Sequence, residues 1–289
     1  MAKYKIKNGV GVIPEGTTVI KEKAFRGCTG LTSVVIPDSV TKIRDYAFRG
    51  CTGLTSIIIP DSVKEIGGYA FEGCTGLTSI IIPDSVAEIR DDAFNGCTGL
   101  TSIVIGNLVT VIGWEAFSGC TSLTSIDIPD SVEIIGDGAF SGCTGLTSID
   151  IPDSVEIIGA GAFSDCTGLT SIDIPVSVKI IGAWAFSGCT GLTNASVLGP
   201  VKFMKGTFED CTALECVTLG VGIKEIIMTD DEDKEDACAF GNCSALKTIN
   251  VPAKKADYYK NRLPEEMHGL IVELPARKKA KSKKTPKGD

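Results

Sequence analysis

The stretch LTSIDIPDSVEIIGDGAFSGCTG, from Leu123 to Gly145, recurs along the chain at a fixed period. Eight cysteines, from Cys28 to Cys189, mark the repeat at intervals of 23 residues. The next two intervals are irregular, since Cys211 lies 22 residues after Cys189 and Cys243 lies 32 residues after Cys211. A period of about 20–29 residues with regular Leu and Ile positions is typical of a solenoid, in which short units stack on one another. The sequence therefore predicts a repeat solenoid. The cysteines that mark the regular repeat, each 23 residues after the last, are Cys28, Cys51, Cys74, Cys97, Cys120, Cys143, Cys166 and Cys189.

The first half of the unit has the pattern of a strand. Leu123, Ile126 and Ile128 recur as an L-x-x-I-x-I frame. Side chains alternate between the two faces of a strand, so the two isoleucines point inward and Asp127 points outward. Pro129 ends the strand, because it cannot donate a hydrogen bond to a continuing ladder.

The second half of the unit predicts shorter elements. Val132 and Ile135 lie three residues apart, which indicates a short bulged strand, and Ala139-Phe140 follows in one helical turn. The unit thus predicts eight inward ladders, formed by Leu, Ile, Ile, Val, Ile, Ala, Phe and Cys. Their burial is the main stabilising contribution, at about 25 cal/mol per Å² of apolar surface.

The residue before each ladder cysteine predicts how the unit closes. Gly, Asn and Asp are the residues that tolerate a left-handed backbone, so each unit is expected to end in one left-handed residue. These residues are Gly27, Gly50, Gly73, Gly96, Gly119, Gly142, Asp165, Gly188, Asp210 and Asn242.

The chain has twelve cysteines, but their spacing is unlike that of a disulfide framework. Ten of them occupy the one repeat position, so we expect a ladder of buried, reduced thiols. Cys216, which faces outward on its strand, and Cys238, which lies off the ladder, are the two expected exposed thiols.

The pattern divides the chain into four parts. Residues 1–24 are predicted to form an N-terminal cap, made of a hairpin around Asn8-Gly9 and a partial repeat. Residues 25–252 hold about ten repeats, which become irregular after Cys189. A C-terminal cap over 253–275 contains a predicted helix and a closing strand. Residues 276–289 are Lys-rich, lack apolar periodicity and are predicted to be disordered.

The net charge of −8 at pH 7 is unevenly distributed. The segment from Ala276 carries seven of the 28 Lys and Arg residues and one acid, Asp289. This leaves 21 of the 28 basic and 35 of the 36 acidic residues in the body, a balance of −14. An acidic body argues against nucleic acid lying along the solenoid.

The repeat resembles a known family. The unit L-x-x-I-x-I-P-x-S-V-x-x-I-G-x-x-A-F-x-G-C is similar to the BspA-like class of leucine-rich repeats, found in bacterial surface antigens and protist surface proteins. The closing VPAKKADYYKNRL and LIVELP also look like that family's C-terminal cap. The resemblance implies a right-handed, curved leucine-rich-repeat solenoid with a parallel sheet on the concave side, mostly β with short helical turns. It also implies adhesion to proteins or cell-cell contact.

The outward position between the two isoleucines is the main candidate site, and we call it the outward row. Strands about 4.8 Å apart would place an apolar block beside an acidic block on the concave face. The apolar block is either a partner-binding patch or ordinary β-propensity on a sheltered face. The repulsion among the carboxylates of the acidic block is relieved by solvation, by a basic peptide or, as the least favoured alternative, by calcium. The row comprises Val35, Ile58, Ile81, Val104, Asp127, Asp150 and Asp173, followed by Ser196, Thr218 and Asn250.

Two further sets are weaker candidates. The first is a row that changes from charged to apolar along the chain and serves either self-association or partial burial: Lys42, Glu65, Glu88, Val111, Ile134, Ile157 and Ile180. The second is a possible aromatic edge before the phenylalanines, formed by Tyr46, Tyr69, Trp114 and Trp184.

The sequence offers few groups for catalysis. The single histidine, His268, lies in the predicted C-terminal cap, so no nucleophile–histidine arrangement is available in the repeats. A cysteine spacing of 23 is not that of a zinc site. The acidic run from Thr229 to Asp236 lacks the Gly and final Glu of a calcium loop. We therefore predict no enzyme, no metal and no cofactor.

The sequence favours a non-enzymatic module that binds a protein partner on the concave face. A self-associating structural protein is the first alternative. The second is a scaffold held on an anionic membrane or nucleic acid by the basic tail 276–289, which the acidic body opposes. The N-terminus lacks an apolar signal-peptide core and no apolar run approaches the roughly 20 residues of a membrane span. These features predict a cytoplasmic chain, whereas the family resemblance implies the cell surface.

Overall fold

The computed structural model describes residues 4–223, 225–226 and 239–275. Most turns of the chain contribute two short strands, and the strands stack into two ladders along a solenoid of about eleven turns. This confirms the predicted leucine-rich-repeat solenoid, which is almost entirely β-structure and turns. The basic tail 276–289, the acidic run 229–236 and Cys238 lie outside the described residues.

The first ladder is formed by the L-x-x-I-x-I segments. Paired strands within this ladder run parallel to each other, except that β1 and β2 form an antiparallel hairpin. It consists of three groups of hydrogen-bonded strands, and a single bridge between Asp127 and Asp150 lies between the second and third groups. Its strands are β1 (Lys5–Lys7), β2 (Val10–Val12), β4 (Ser33–Val35), β6 (Ser56–Ile57), β8 (Ser79–Ile81), β10 (Ser102–Val104), β14 (Ser171–Ile174), β16 (Asn194–Val197), β18 (Cys216–Leu219), β20 (Thr248–Val251) and β21 (Ile271–Glu273).

The second ladder is formed by two-residue strands in the other half of each turn, and its pairs are also parallel. Val132 closes a turn by donating its N–H to the carbonyl of Pro129 at 3.0 Å, and the strand begins only at Ile134. The three-residue spacing of Val132 and Ile135 therefore joins a turn to a strand and does not mark a bulge. The strands are β3 (Val19–Ile20), β5 (Lys42–Ile43), β7 (Glu65–Ile66), β9 (Glu88–Ile89), β11 (Val111–Ile112), β12 (Ile134–Ile135), β13 (Ile157–Ile158), β15 (Ile180–Ile181), β17 (Lys202–Phe203) and β19 (Glu225–Ile226).

The eight predicted inward ladders form the core. In the repeat that begins at Leu123, all eight side chains are buried. The phenylalanine ladder is continuous, with consecutive rings from Phe25 to Phe240 lying nearly parallel at centroid distances between 5.1 and 5.7 Å. Offset stacking of this kind adds to the gain from burial alone. Tyr4 extends the stack onto Phe25 at 5.4 Å, so the N-terminal hairpin covers the first turn.

Each turn is closed by left-handed residues, as predicted. All ten residues that precede a ladder cysteine have positive φ, between 56° for Asn242 and 70° for Gly27 and Gly188. A second left-handed position, which the pattern did not predict, precedes every Ala-Phe pair from Ala24 to Ala185, for example at Tyr46 and at Gly138. The segment around Ala139-Phe140 is accordingly a series of tight hydrogen-bonded turns.

The cysteine ladder is buried as predicted, except at its two ends. Cys51 and each ladder cysteine up to Cys211 are fully buried, whereas Cys28 and Cys243 are half-buried. Each ladder thiol from Cys51 to Cys243 donates to the carbonyl of the phenylalanine one turn earlier, as Cys51 Sγ does to Phe25 at 3.0 Å. Burial raises the pKa of Cys51 to about 12, so this thiol stays protonated and unreactive at neutral pH.

The segment after β20 contains a short helix, α1 (Ala256–Lys260), a 3₁₀ helix (Glu265–Leu270) and β21. Tyr259 of α1 is buried and donates its hydroxyl to the carbonyl of Gly220. The strand β21 adds in parallel to β20, with Ile249 opposite Ile271. The helix and the closing strand thus lie where the sequence predicted them. The cap boundaries at 24 and 253 remain predictions.

Candidate protein-binding surface

The outward row lies on the exposed side of the first ladder. Ile57 and Ile59 are buried, whereas Ile58 between them is 82% exposed. The alternation of a strand produces this arrangement in every turn, because the two flanking positions fill the core. Val35, Ile81 and Val104 are exposed in the same way. The structure therefore brings the predicted apolar block together as one stripe, in which Ile81 lies directly opposite Val104.

The apolar block begins one turn earlier than the sequence analysis placed it. Val12 on β2 pairs with Val35 and is 50% exposed. The sequence contains an indication of this position, because Val10 and Val12 flank Gly11 in the alternation of a strand, in the segment that precedes the first repeat. A Cβ atom at Gly11 would lie 3.0 Å from side-chain atoms of both Leu31 and Phe25, so any larger residue would have to displace these packed side chains. Its small size lets the hairpin sit close to the core and places Val12 in the row.

The acidic block continues the row without interruption. Asp127, Asp150 and Asp173 are all exposed. Asp127 forms a backbone bridge with Asp150, and Asp173 pairs with Ser196 on the next turn. Within residues 4–223 and 239–275, none of the three carboxylates has a hydrogen-bond or ion-pair partner. The residues that follow in the row are polar and uncharged, since Ser196 pairs with Thr218 and Thr218 with Asn250.

The second candidate row lies on the second ladder and differs from the outward row in burial. Val111, Ile134 and Ile157 are half-buried, and only Ile180 is exposed among its four apolar members. Partial burial within the strands therefore accounts for most of this row. Self-association through it remains a prediction.

The charged end of that second row is an ion-pair cluster. Glu65 contacts Lys42 at 3.0 Å, Arg44 at 3.3 Å and Arg90 at 3.4 Å. The hydrogen bond from Lys42 is the main cause that holds the pKa of Glu65 below its usual value. The carboxylate of Glu65 is therefore fully paired within the protein, and we assign the cluster to stability.

The four predicted edge aromatics do not form one surface. Tyr46 and Tyr69 stack with centroids 4.8 Å apart, since both precede an Ala-Phe pair at the same position. Trp184 occupies that position several turns later and donates its ring N–H to Glu209 at 2.8 Å. Trp114 lies one residue earlier in its repeat, and its backbone N–H binds Asp91. In the part of the chain that the structure describes, neither tryptophan ring contacts another aromatic ring.

Cys216 is half-exposed, as expected from its outward position, and accepts a hydrogen bond from Asn250 at 3.2 Å. His268 lies near the carbonyls of Lys260 and Leu263. Among the described residues, no three or more His, Cys, Asp or Glu side chains converge in a way that could hold a metal ion. The same residues contain no helix with the length and apolarity of a membrane span.

The stacked two-strand turns, the buried Leu/Ile/Phe/Cys ladders and the open sheet define a leucine-rich-repeat solenoid. The chain belongs to the family of the BspA type leucine rich repeat region, whose model matches residues 10–124 and 110–230 in six copies. Proteins with such repeats are commonly protein-interaction or surface proteins, and their fold is typically non-catalytic.

Solved structures of bacterial proteins share the fold. A leucine-rich repeat protein from Bacteroides ovatus has a TM-score of 0.56 and 24% identity, with 92% of each chain covered. The T. pallidum leucine rich repeat protein has a TM-score of 0.54 and 32% identity over 66% of this chain and 87% of its own. A leucine-rich repeat protein from Eubacterium ventriosum has a TM-score of 0.50 and 22% identity over 84% and 74%. The comparison with curated proteins gave no match.

Proposed function

We propose that this chain is a non-catalytic module that binds a protein partner through the outward row. The observation that carries the proposal is the apolar block, five consecutive exposed Val and Ile side chains on a sheet whose other face is fully packed. Contiguous exposed apolar surface on a protein of this size usually marks an interaction site. The residues are Val12, Val35, Ile58, Ile81 and Val104.

The geometry favours a protein over a small molecule. Rungs about 4.8 Å apart make the block roughly 19 Å long, and the acidic block follows it in the same row. Such a long, open strip matches the dimensions of a polypeptide segment, whereas small-molecule sites are enclosed clefts.

The test replaces the apolar side chains at the centre of the block. A photo-crosslinking residue at position 58 first captures the partner from the native source. The Ile58→Ser/Ile81→Ser variant is then expected to weaken binding of that partner by at least tenfold, because each buried Ile contributes about 1.5–3 kcal/mol. Binding is measured by calorimetry with the purified partner, and circular dichroism verifies the fold.

The matched control is Leu198→Ser/Val221→Ser, which removes two exposed apolar side chains from turn edges far along the solenoid. We expect it to leave affinity within about twofold of the wild type, since surface changes away from the interface have small effects. Equal affinities of both double variants and the wild type would assign the partner to another surface.

A further inference from the structure

The first-ladder side of the solenoid has a one-sided charge distribution. From Cys28 to Pro200, the segments that run from each ladder cysteine through the strand to the following turn contain no Lys or Arg. All basic residues of these turns lie in the other half of the repeat, as Lys42, Arg44 and Arg90 do. We call the exposed carboxylates of this side the acidic face: Asp38, Asp61, Asp84, Asp127, Asp130, Asp150, Asp153 and Asp173.

No hydrogen bond within the described residues gives the three carboxylates of the outward row a structural role. Aspartates elsewhere accept backbone N–H groups from the next turn, as Asp45 does from Gly68 and Asp137 from Ala160. Within residues 4–223 and 239–275, Asp127 and its two successors in the row accept no such bond. The fold also does not require a carboxylate at this position, because other turns place Val, Ile, Ser, Thr or Asn there.

The carboxylates also carry an energetic cost. Unit charges about 5 Å apart repel, and like charges directly opposite on neighbouring strands destabilise a sheet. Several basic residues elsewhere in the chain pair with its acids, as in Lys179–Glu156 at 2.6 Å and Lys247–Glu215 at 2.7 Å. The chain has no such residue on the acidic face. Asp84 accepts the backbone N–H of Asn107 at 2.6 Å, but no basic residue of this face compensates the charge of any carboxylate there.

We propose that the outward row binds a Lys/Arg-rich protein segment that also carries apolar side chains. This inference rests on the proposed function and specifies its partner. The apolar block receives the apolar side chains, while the row aspartates and the turn-edge Asp38, Asp61 and Asp84 beside the block pair with the basic ones. From Val12 to Asp173 the row spans about 34 Å, the length of roughly ten extended residues.

The charge along the outward row changes from one end to the other, so a bound segment has a preferred direction. At the N-terminal end of the row, Lys5 on β1 lies opposite Val12, so positive charge returns just beyond the apolar block. At the other end the row becomes neutral from Ser196 onward. A bound segment therefore has its most basic part over Asp127–Asp173 and an apolar or mixed part over the first turns. The chain's own basic tail, residues 276–289, is a competing occupant that the test must separate.

The test measures binding of synthetic peptides to the full chain by fluorescence anisotropy, at about 50 and 150 mM salt. The probe is the peptide KLKLKLKLK, with KSKSKSKSK and ELELELELE as comparison peptides. The mixed basic-apolar probe is expected to bind at least tenfold tighter than KSKSKSKSK, and ELELELELE is expected not to bind. Affinity for the probe is expected to fall as salt rises, because the carboxylates on the face are exposed.

The site is mapped with two charge-matched variants. Asp127→Asn/Asp150→Asn/Asp173→Asn is expected to weaken probe binding by about tenfold, the loss expected for three exposed ion pairs. The control Glu88→Gln/Glu133→Gln/Glu265→Gln removes the same charge from exposed positions off the acidic face and is expected to change binding less than twofold. Equal losses in both variants would mean attraction to the net charge alone and would overturn the proposal.

A variant with a neutral tail, in which Lys278, Lys279, Lys281, Lys283 and Lys284 become Gln, separates the two occupants. Probe binding that appears only in this variant assigns the acidic face to the chain's own tail and overturns the partner assignment. Absence of probe binding in both chains overturns the inference altogether. If the captured partner binds the Asp→Asn variant normally but loses affinity for Ile58→Ser/Ile81→Ser, the proposed function stands and this inference fails.

Discussion

The N-terminal turns, from Cys28 to Gly119, and the middle turns, from Cys120 to Gly188, have the same interior and different exteriors. Phe48 and Phe140 stack in one continuous ladder, and both are fully buried. The outward row is Val or Ile in the first region and Asp in the second. The N-terminal turns contain five basic residues, whereas the middle turns contain only Lys179. The interior is therefore set by stacking, and the exterior varies independently of it.

This difference separates positions that fold the chain from positions that serve its surroundings. A ladder position must match the residue one turn before and one turn after it, because close-packed interiors tolerate little change in volume. An outward position has only solvent beyond it. A block change at outward positions, from Ile81 and Val104 to Asp127 and Asp150, therefore carries information about function that the core positions cannot carry.

The largest expected effect is on the shared interior. We expect Phe71→Ala and Phe140→Ala each to lower the free energy of unfolding by about 3–5 kcal/mol, since each removes one ring from the stacked ladder. The outward-row variant Val104→Thr is the control, with an expected change within about 0.5 kcal/mol. Urea unfolding followed by circular dichroism measures all three. A difference above about 1.5 kcal/mol between the two Phe variants would contradict the claim of a common interior.

Most of the interior could be predicted from the sequence, because its information is local and repeated. The period, the L-x-x-I-x-I alternation and the Gly or Asp before each cysteine determine the strands, the ladders and one left-handed residue per turn. The second left-handed position was missed because Tyr46, Tyr69 and Trp184 occupy it in several turns, although Gly138, Gly161 and Gly206 show the requirement. Non-glycine residues there adopt a conformation that costs roughly 1–2 kcal/mol each.

The exterior could be predicted only in part. Alternation correctly placed the outward row, since exposure follows from strand periodicity alone. The aromatic edge was predicted from positions along the chain alone. Trp114 lies one residue earlier in its repeat than Tyr46 and Tyr69 do in theirs, so its side chain does not join theirs. Val12 was missed because the hairpin lies outside the repeat. Its place in the row depends on the pairing of β2 with β4.

A smaller effect is expected from the acidic block. We expect Asp150→Asn to raise the free energy of unfolding by about 0.5–1 kcal/mol at low salt, because Asp150 lies between Asp127 and Asp173 and loses two repulsive neighbours. The gain should shrink at about 0.5 M salt, where exposed charges are screened. Asp38→Asn, on the turn edge of the N-terminal region, is the control and should change stability little at either salt. An unchanged or lowered stability for Asp150→Asn at low salt would show that the row carries no strain.

The smallest effects compare two glutamates of the N-terminal region whose pKa values are shifted in opposite directions by their immediate neighbours. In the N-terminal region, the hydrogen bond from Lys42, with further attraction from Arg90 and Arg44, lowers the pKa of Glu65. Farther along the same region, burial and the neighbouring Asp92 raise the pKa of Glu115, while a hydrogen bond from Asn95 at 3.0 Å partly opposes the rise. Carboxyl NMR titration of the folded chain is expected to place Glu65 below and Glu115 above the ordinary value of about 4.3.

The two shifts act on stability with opposite signs. Ionised Glu65 stabilises the fold above its unfolded-state pKa, and this contribution is lost as the pH falls through its lowered folded-state pKa. Ionised Glu115 destabilises the fold at neutral pH, and this cost is relieved as the pH falls from its raised folded-state pKa to the unfolded value. At pH 7 we therefore expect Glu65→Gln to lower and Glu115→Gln to raise the urea midpoint, with both differences fading near pH 3. If both variants shift the midpoint in the same direction at pH 7, the two glutamates do not differ electrostatically as their surroundings indicate.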